Sequence, residues 1–252
     1  MARYLYLKSK VLTSAGLLEQ KIKARFIGLA LLLAGLLVAT TQLWPILYWH
    51  FYTLPLINSQ KLLAPQPDWQ RMQLQNITVK TDDDGFTYFV RVGDNKNLAS
   101  GDQFFLTIPK LGIKDALVLI NSQEFANNLA HFPGTALPGQ DGNVFITGHS
   151  TLPQFFNPGD YKTIFSTLDR LENEDTVLLK YHDKIYYYQI TSRRVVPPDD
   201  ISVLLPTDDF GKYLTLMTCV PPGLNTQRLV VTGELREDLP KESFLIDAPT
   251  SY

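Results

Sequence analysis

Between Phe26 and Gln60 the chain carries no Asp, Glu, Lys or Arg, and Phe26 to Trp44 is a run of 19 residues, nearly all apolar, closed by Pro45. A helix that crosses a bilayer needs about 20 such residues at 1.5 Å rise each. A signal-peptide core, at roughly 7–15 residues, is shorter. A helix buried in a soluble core is rarely apolar around its whole circumference. The run therefore reads as a single transmembrane helix over residues 26–49. Before it, Arg3, Lys8, Lys10, Lys21, Lys23 and Arg25 face only Glu19, leaving a charge of +5. Basic flanks stay in the cytoplasm. Residues 1–25 are thus expected to be a cytoplasmic tail, with everything after the helix extracytoplasmic. Trp44, Tyr48, Trp49 and Tyr52 cluster at the far end, where rings with one polar edge favour the headgroup layer.

The rest of the 252 residues suffices for one domain of ordinary size. A net charge of -2 gives no clustered basic surplus of the kind nucleic acid selects. The single cysteine rules out an internal disulfide, so an apolar core must hold the fold. His50, His131, His149, His182 and Cys219 show none of the paired spacings of structural zinc sites. No metal and no cofactor is expected.

Residues 50–75, with Pro55, Pro65 and Pro67, read as a stalk or lead-in. From residue 76 to 236 short alternating or β-branched runs recur between turn residues: Phe86 to Val92, Gln103 to Ile108, Ala116 to Ile120, Asn143 to Thr147, Thr176 to Tyr181, Ile185 to Val196, Lys212 to Cys219 and Arg228 to Leu235. That spacing predicts an all-β barrel or sandwich with short helices. Ser122 to Leu129 and Tyr161 to Leu171 are the helical candidates. Asp82-Asp83-Asp84-Gly85 lacks the remaining ligands of a calcium loop and reads as a hairpin turn. Residues 237–252, rich in Asp, Glu, Pro and Ser, read as a loose tail.

Three strand ends carry chemistry. Alternation groups Tyr213, Thr215, Met217 and Cys219 on one face of their strand, and Leu214, Leu216 and Thr218 on the other. The next run groups Arg228, Val230 and Thr232 against Leu229, Val231 and Leu235, and a hairpin with a loop from Val220 to Gln227 brings Cys219 and Arg228 to one rim. Phe145, Thr147 and His149 share a face of a third strand. Taken singly, a free cysteine is usually an inert core residue, a histidine a hydrogen-bonded or solvated one, and an arginine a surface cation. Together they suffice for acyl transfer. A thiolate attacks a carbonyl, an imidazole holds or returns the proton, and a fixed cation stabilises the oxyanion. His131 is the rival proton carrier and is expected to be structural.

The blocks Thr107-Ile-Pro-Lys-Leu-Gly-Ile113, His131-Phe-Pro-Gly-Thr-Ala-Leu-Pro-Gly139, Gly142-Asn-Val-Phe-Ile-Thr-Gly-His149, Leu214-Thr-Leu-Met-Thr-Cys219 and Arg228-Leu-Val-Val231 resemble the sortases, in that order. The resemblance implies a closed eight-stranded β-barrel behind one N-terminal transmembrane helix. It also implies a ping-pong transpeptidation of sorting-signal peptides borne by surface proteins. It assigns Cys219 as nucleophile, His149 as proton carrier, Arg228 to the oxyanion or substrate, and Thr218 to the oxyanion site. The accepting amine would come from a peptidoglycan precursor or a pilin lysine. One departure from the family pattern is Glu174-Asp175, where Gly-Asp is usual.

Two other functions compete. A cysteine peptidase would resolve the thioester with water, but the flanking signatures of papain-like and caspase-like enzymes do not occur here. A non-catalytic, membrane-tethered barrel would bind surface peptides with the thiol incidental.

Overall fold

The computed structural model describes residues 14–58, 77–81, 87–91, 102–122, 127–208 and 211–237. Helix α1 spans Ser14–Tyr48, passes into a π-helical segment Trp49–Thr53 and continues as α2, Leu54–Asn58. It is the one helix among the described residues long and apolar enough to cross a membrane. Its large side chains are open, Leu31 at 68% and Leu37 at 67% exposure.

Trp44, Tyr48 and Tyr52 are exposed, as a headgroup-facing set requires, but Trp49 is not. It is 2% exposed and belongs, with Ile57, to the main hydrophobic core. The sequence reading put all four rings in one layer; alternation around a helix instead turns Trp49 and Ile57, eight residues and about two turns apart, to a common side. What reads as the start of a stalk thus begins as helix. The acidic turn at 82–85 and the tail beyond residue 237 lie outside the described residues.

A two-stranded sheet pairs β1 (Ile77–Thr81) with β2 (Thr87–Arg91). The remaining strands are β3 (Gln103–Ile108), β4 (Ile113–Leu119), β5 (Leu129–His131), β6 (Gly142–Thr147), β7 (Thr176–Tyr181), β8 (Lys184–Val196), β9 (Lys212–Val220) and β10 (Gln227–Leu235). They close into an eight-stranded barrel in the order β10-β8-β7-β3-β4-β5-β6-β9. Closure leaves no edge to pair with another chain. Inside it pack Leu106, Val118, Leu129, Ile146, Leu179, Leu214, Leu216, Leu229 and Val231, each 0% exposed.

A second, smaller cluster lies on the other side of the wall: Phe89, Phe132, Phe145, Val196, Val203, Leu204, Met217 and Val230. Phe89 of β2 meets Phe132 and Phe145 at ring-centroid distances of 6.2 and 6.1 Å.

One helical expectation fails, and the other, Ser122 to Leu129, falls half on residues 123–126, outside the described residues; its last residue, Leu129, opens strand β5. The stretch from Tyr161 to Leu171 is a spiral of i→i−3 bonds: Thr163 N to Asp160 O, Ser166 N to Thr163 O, and Leu168 N to Phe165 O. It holds only a short 3-10 turn, Leu168–Arg170. Its apolar residues at 164, 165 and 168 suit the tighter spiral as well as an α-helix, and core burial fixes them there. Glu174, standing where the family usually has glycine, takes a left-handed φ of 74° in a turn away from the barrel rim discussed next.

Candidate active site

Strands β6, β9 and β10 are neighbours in the barrel, with β9 in the middle. β10 pairs antiparallel with β9 so that Arg228 stands directly opposite Cys219. Such partners share a face, with Cβ atoms about 4.5–5.5 Å apart. β6 runs parallel to β9 and reaches Thr147 opposite Met217.

Past the end of β6, three hydrogen bonds carry the alignment on. Gly148 N donates to Met217 O at 3.2 Å. Thr218 Oγ1 donates to Gly148 O at 2.9 Å. Ser150 Oγ donates to Cys219 O at 2.7 Å. His149, between the two bonded residues, therefore comes to the level of Cys219 on one side as Arg228 does on the other. Gly148 makes this approach feasible, because a Cβ there would lie 2.4 Å from Leu129 Cδ2 and 2.9 Å from Phe165 Cδ2, both on buried side chains.

The expected faces hold. Cys219 shares its face with Met217 and, across the strands, with Phe145, Val230 and Arg228, all on the outer cluster's side of the wall. It is 6% exposed, beside a half-buried His149. Arg228 is 1% exposed, and its Nη1 donates to Asn225 O at 2.8 Å and Gln227 O at 3.0 Å. Burial pulls its pKa down, and coulombic attraction to Cys219 pulls it up. A guanidinium keeps its charge through such shifts at neutral pH.

A sortase-domain family model matches residues 106–236. The chain belongs to the sortase family. Sortase SrtE1 of Streptomyces coelicolor is 29% identical over 125 residues, 46% of this chain and 33% of that protein. Sortase A of Bacillus anthracis is 33% identical over 95 residues, 37% of this chain and 40% of that one. The match thus spans a third to two-fifths of the length of these curated relatives. Among solved structures, Sortase A from Corynebacterium diphtheriae superposes with a TM-score of 0.50 at 25% identity, covering 58% of this chain and 66% of that one.

Thr218 and His131 both turn away from the thiol's side of the sheet, His131 as expected of a structural residue. Thr218 lies on the opposite face of β9 from Cys219, 2% exposed, with its hydroxyl engaged by Gly148 O. Its side chain braces the histidine segment and does not open onto the thiol's side of the sheet. His131, the rival proton carrier, pairs with Ile146 and so faces the barrel interior, where its ring meets Phe104. Its Nε2 lies 2.9 Å from Ala136 O and 3.0 Å from Thr135 Oγ1. A carbonyl only accepts, so Nε2 carries the proton. Burial pushes its pKa down to about 4, which makes it a neutral structural residue.

Sequence reasoning missed Ser150 and Asn143. Nothing local marks either residue, since their partners lie 69 and more than 59 residues away. Among the described residues no group of His, Cys, Asp and Glu could hold a metal ion.

Proposed function

We propose that this sortase-family chain is a membrane-anchored cysteine transpeptidase, with Cys219 as nucleophile, His149 as proton carrier and Arg228 as the oxyanion-stabilising cation. The observation that supports the reading is the strand register: Arg228 pairs with Cys219, and the bonds of Gly148 and Ser150 to the end of β9 hold the chain at His149 level with that pair. The Cys219 thiolate attacks the carbonyl carbon of a sorting-signal peptide. The carbonyl oxygen takes the negative charge, and the anchored Arg228 guanidinium stabilises it. As the C–N bond breaks, His149 gives its proton to the leaving amine, and a thioester remains on sulfur. An acceptor amine then attacks the thioester carbonyl and passes a proton back to His149. The C–S bond breaks and the thiolate is restored.

The donors are sorting-signal-bearing surface proteins, and the acceptor is an amine of a peptidoglycan precursor or a pilin subunit. The +5 charge of residues 1–25, ahead of the uncharged run, supports a cytoplasmic N-terminus and an extracytoplasmic barrel.

The deciding experiment incubates the full chain in detergent with a panel of sorting-signal peptides and an amine, and reads products by mass spectrometry. Wild type forms a thioester and then the peptide–amine conjugate. Cys219→Ala forms neither but still unfolds at the wild-type temperature. Conjugate made by Cys219→Ala defeats the reading, and hydrolysis that predominates despite excess amine replaces it with a peptidase.

A further inference from the structure

Residues 47–58 run on from α1 through the π-helical turn into α2. Leu54 N closes that wide turn by donating to Trp49 O. Trp49 and Ile57 are buried in the main core, half-buried Leu54 packs against it, and α2 lies against β8. Trp49 Nε1 is buried with no hydrogen-bond partner, so the indole is held there by its packing and in spite of its donor. The barrel's core therefore reaches back to residue 49.

The other side of the same turns is apolar as well. Leu47, Tyr48, Phe51, Tyr52 and Leu56 are open, from 48% at Leu47 to 69% at Leu56, as open as the leucines of the run before them. The rings of Tyr48 and Tyr52 stack at 5.1 Å. A surface helix of a soluble domain turns charged and polar residues to water on the side away from its core. This one has no Asp, Glu, Lys or Arg on any side, because the uncharged stretch continues to Gln60. Contiguous open apolar surface of this kind marks an interaction site.

Continuity with the membrane run identifies the occupant. The helix from Arg25 to Ile57 has 33 residues, about 50 Å at 1.5 Å each, whereas the hydrocarbon core takes about 30 Å. With its headgroups a bilayer is about 40–45 Å thick, so a tilt of about 30°, within the range of spanning helices, keeps the whole length inside it. Aliphatic side chains beside rings with a polar edge suit the boundary between acyl chains and headgroups.

We propose that residues 47–56 seat the barrel directly on a phospholipid bilayer. Leu47, Tyr48, Phe51, Tyr52 and Leu56 lie in the headgroup boundary as a second lipid contact beyond the span, while Trp49 and Ile57, on the opposite side of the same turns, are part of the barrel's core. The inference rests on the membrane-anchor reading and needs no chemistry at Cys219.

The test places the full chain in vesicles of phosphatidylcholine and phosphatidylglycerol. In a Cys219→Ala background a nitroxide is attached at one introduced cysteine: Leu33→Cys in the span, Phe51→Cys or Leu56→Cys on the open side, or Thr226→Cys on an exposed loop of the barrel. Collisions with oxygen, which collects among acyl chains, are compared with collisions with a water-soluble nickel chelate. The oxygen-to-nickel ratio at 51 and 56 is expected to fall between the high value at 33 and the low value at 226. Ratios at 51 and 56 as low as at 226, with 33 still high, overturn the seat and leave the anchor standing. A low ratio at 33 fells the anchor reading, and the seat with it. Spin–spin broadening at 51 or 56 that disappears on dilution with unlabelled chain puts a second copy there in place of lipid and also overturns the seat. Thermal unfolding in the same vesicles reads the barrel side: Trp49→Ala is expected to lower the midpoint by about 10 °C, and Phe51→Ala by less than about 2 °C. A Trp49→Ala midpoint equal to that of wild type would detach the segment from the core and overturn the proposal.

Discussion

On the inner face of the β6–β9–β10 wall, Leu214, Leu216, Leu229 and Val231 are each 0% exposed, while on the outer face Thr215, Met217, Cys219 and Arg228 lie between 1% and 6%. Burial alone does not separate the two faces. The inner residues are apolar and need only close packing, which removing surface from water rewards. The outer face carries a thiol and a guanidinium with an imidazole level beside them, groups that are unfavourable to bury unless each finds a partner. On the proposed mechanism, chemistry is concentrated where the wall has to satisfy charge, and stability where it does not. Because alternate residues of the same strands supply both, the two functions can be mutated independently.

The sharpest way to test that separation is Arg228→Lys. Lysine keeps the charge but loses the planar fork that two backbone carbonyls now anchor through Nη1. Transpeptidation, measured as kcat/KM for the donor, is expected to fall about 10²–10³-fold, the range seen on losing an oxyanion donor. The unfolding midpoint should move by no more than a few degrees. Activity retained to within about tenfold would show that charge alone suffices, and the guanidinium geometry would lose its role.

Leu216→Ala makes the complementary change one strand position from Met217. It deletes a fully buried side chain on the inner face and is expected to destabilise the fold by about 3 kcal/mol. Per folded molecule, kcat should stay within about threefold. Denaturant unfolding and active-site titration together read the two numbers. A large drop in kcat at unchanged stability would mean that the faces are mechanically coupled and the division does not hold.

The same two faces explain what could be read from the sequence. Alternation placed Cys219, Met217 and Thr215 opposite Leu214, Leu216 and Thr218, and it grouped Arg228 with Val230, because a strand's period of two is written locally. The order of blocks from Thr107 to Val231 did the same for barrel and family. Three kinds of information were not local. β5 has three residues and little propensity to declare it. The bonds from Ser150 to Cys219 O and from Asn143 to Val203 O exist only once distant strands are paired. Trp49 looked like its exposed neighbours because its burial depends on a barrel that begins later in the chain.

His131 is a polar residue on the inner face, and pH is the way to probe it. Burial lowers its pKa from 6.5 to about 4, so the unfolded chain binds the proton more readily than the folded one. Its contribution to stability is full above pH 6.5 and is lost as pH falls toward 4, a change of up to about 3 kcal/mol. His131→Gln removes the titration. Unfolding curves between pH 7 and pH 4 should therefore be less pH-sensitive for the variant than for wild type, whatever their offset at pH 7. Parallel slopes would place the imidazole in a wetter setting than the inner face provides.

Thr218 gives the smallest expected effect and the finest test, because it sits on the inner face yet acts on the outer one. Its hydroxyl bonds Gly148 O, and Ser150 bonds Cys219 O, so one bond grips the chain on each side of His149. Thr218→Val keeps the shape and removes the first grip; Ser150→Ala removes the second. Each should lower kcat about tenfold by letting the imidazole leave the level of the thiol, with donor KM unchanged, since both hydroxyls are spent on backbone carbonyls. The double variant should lose less than the product of the two, because a segment already loosened at one end has less alignment left to lose. Thr218→Ser keeps the donor and should restore kcat. If Thr218→Ser restored kcat while Ser150→Ala had no effect on it, the threonine hydroxyl would be acting on the reaction by a route other than holding His149, which would favour the oxyanion role that the family resemblance implies.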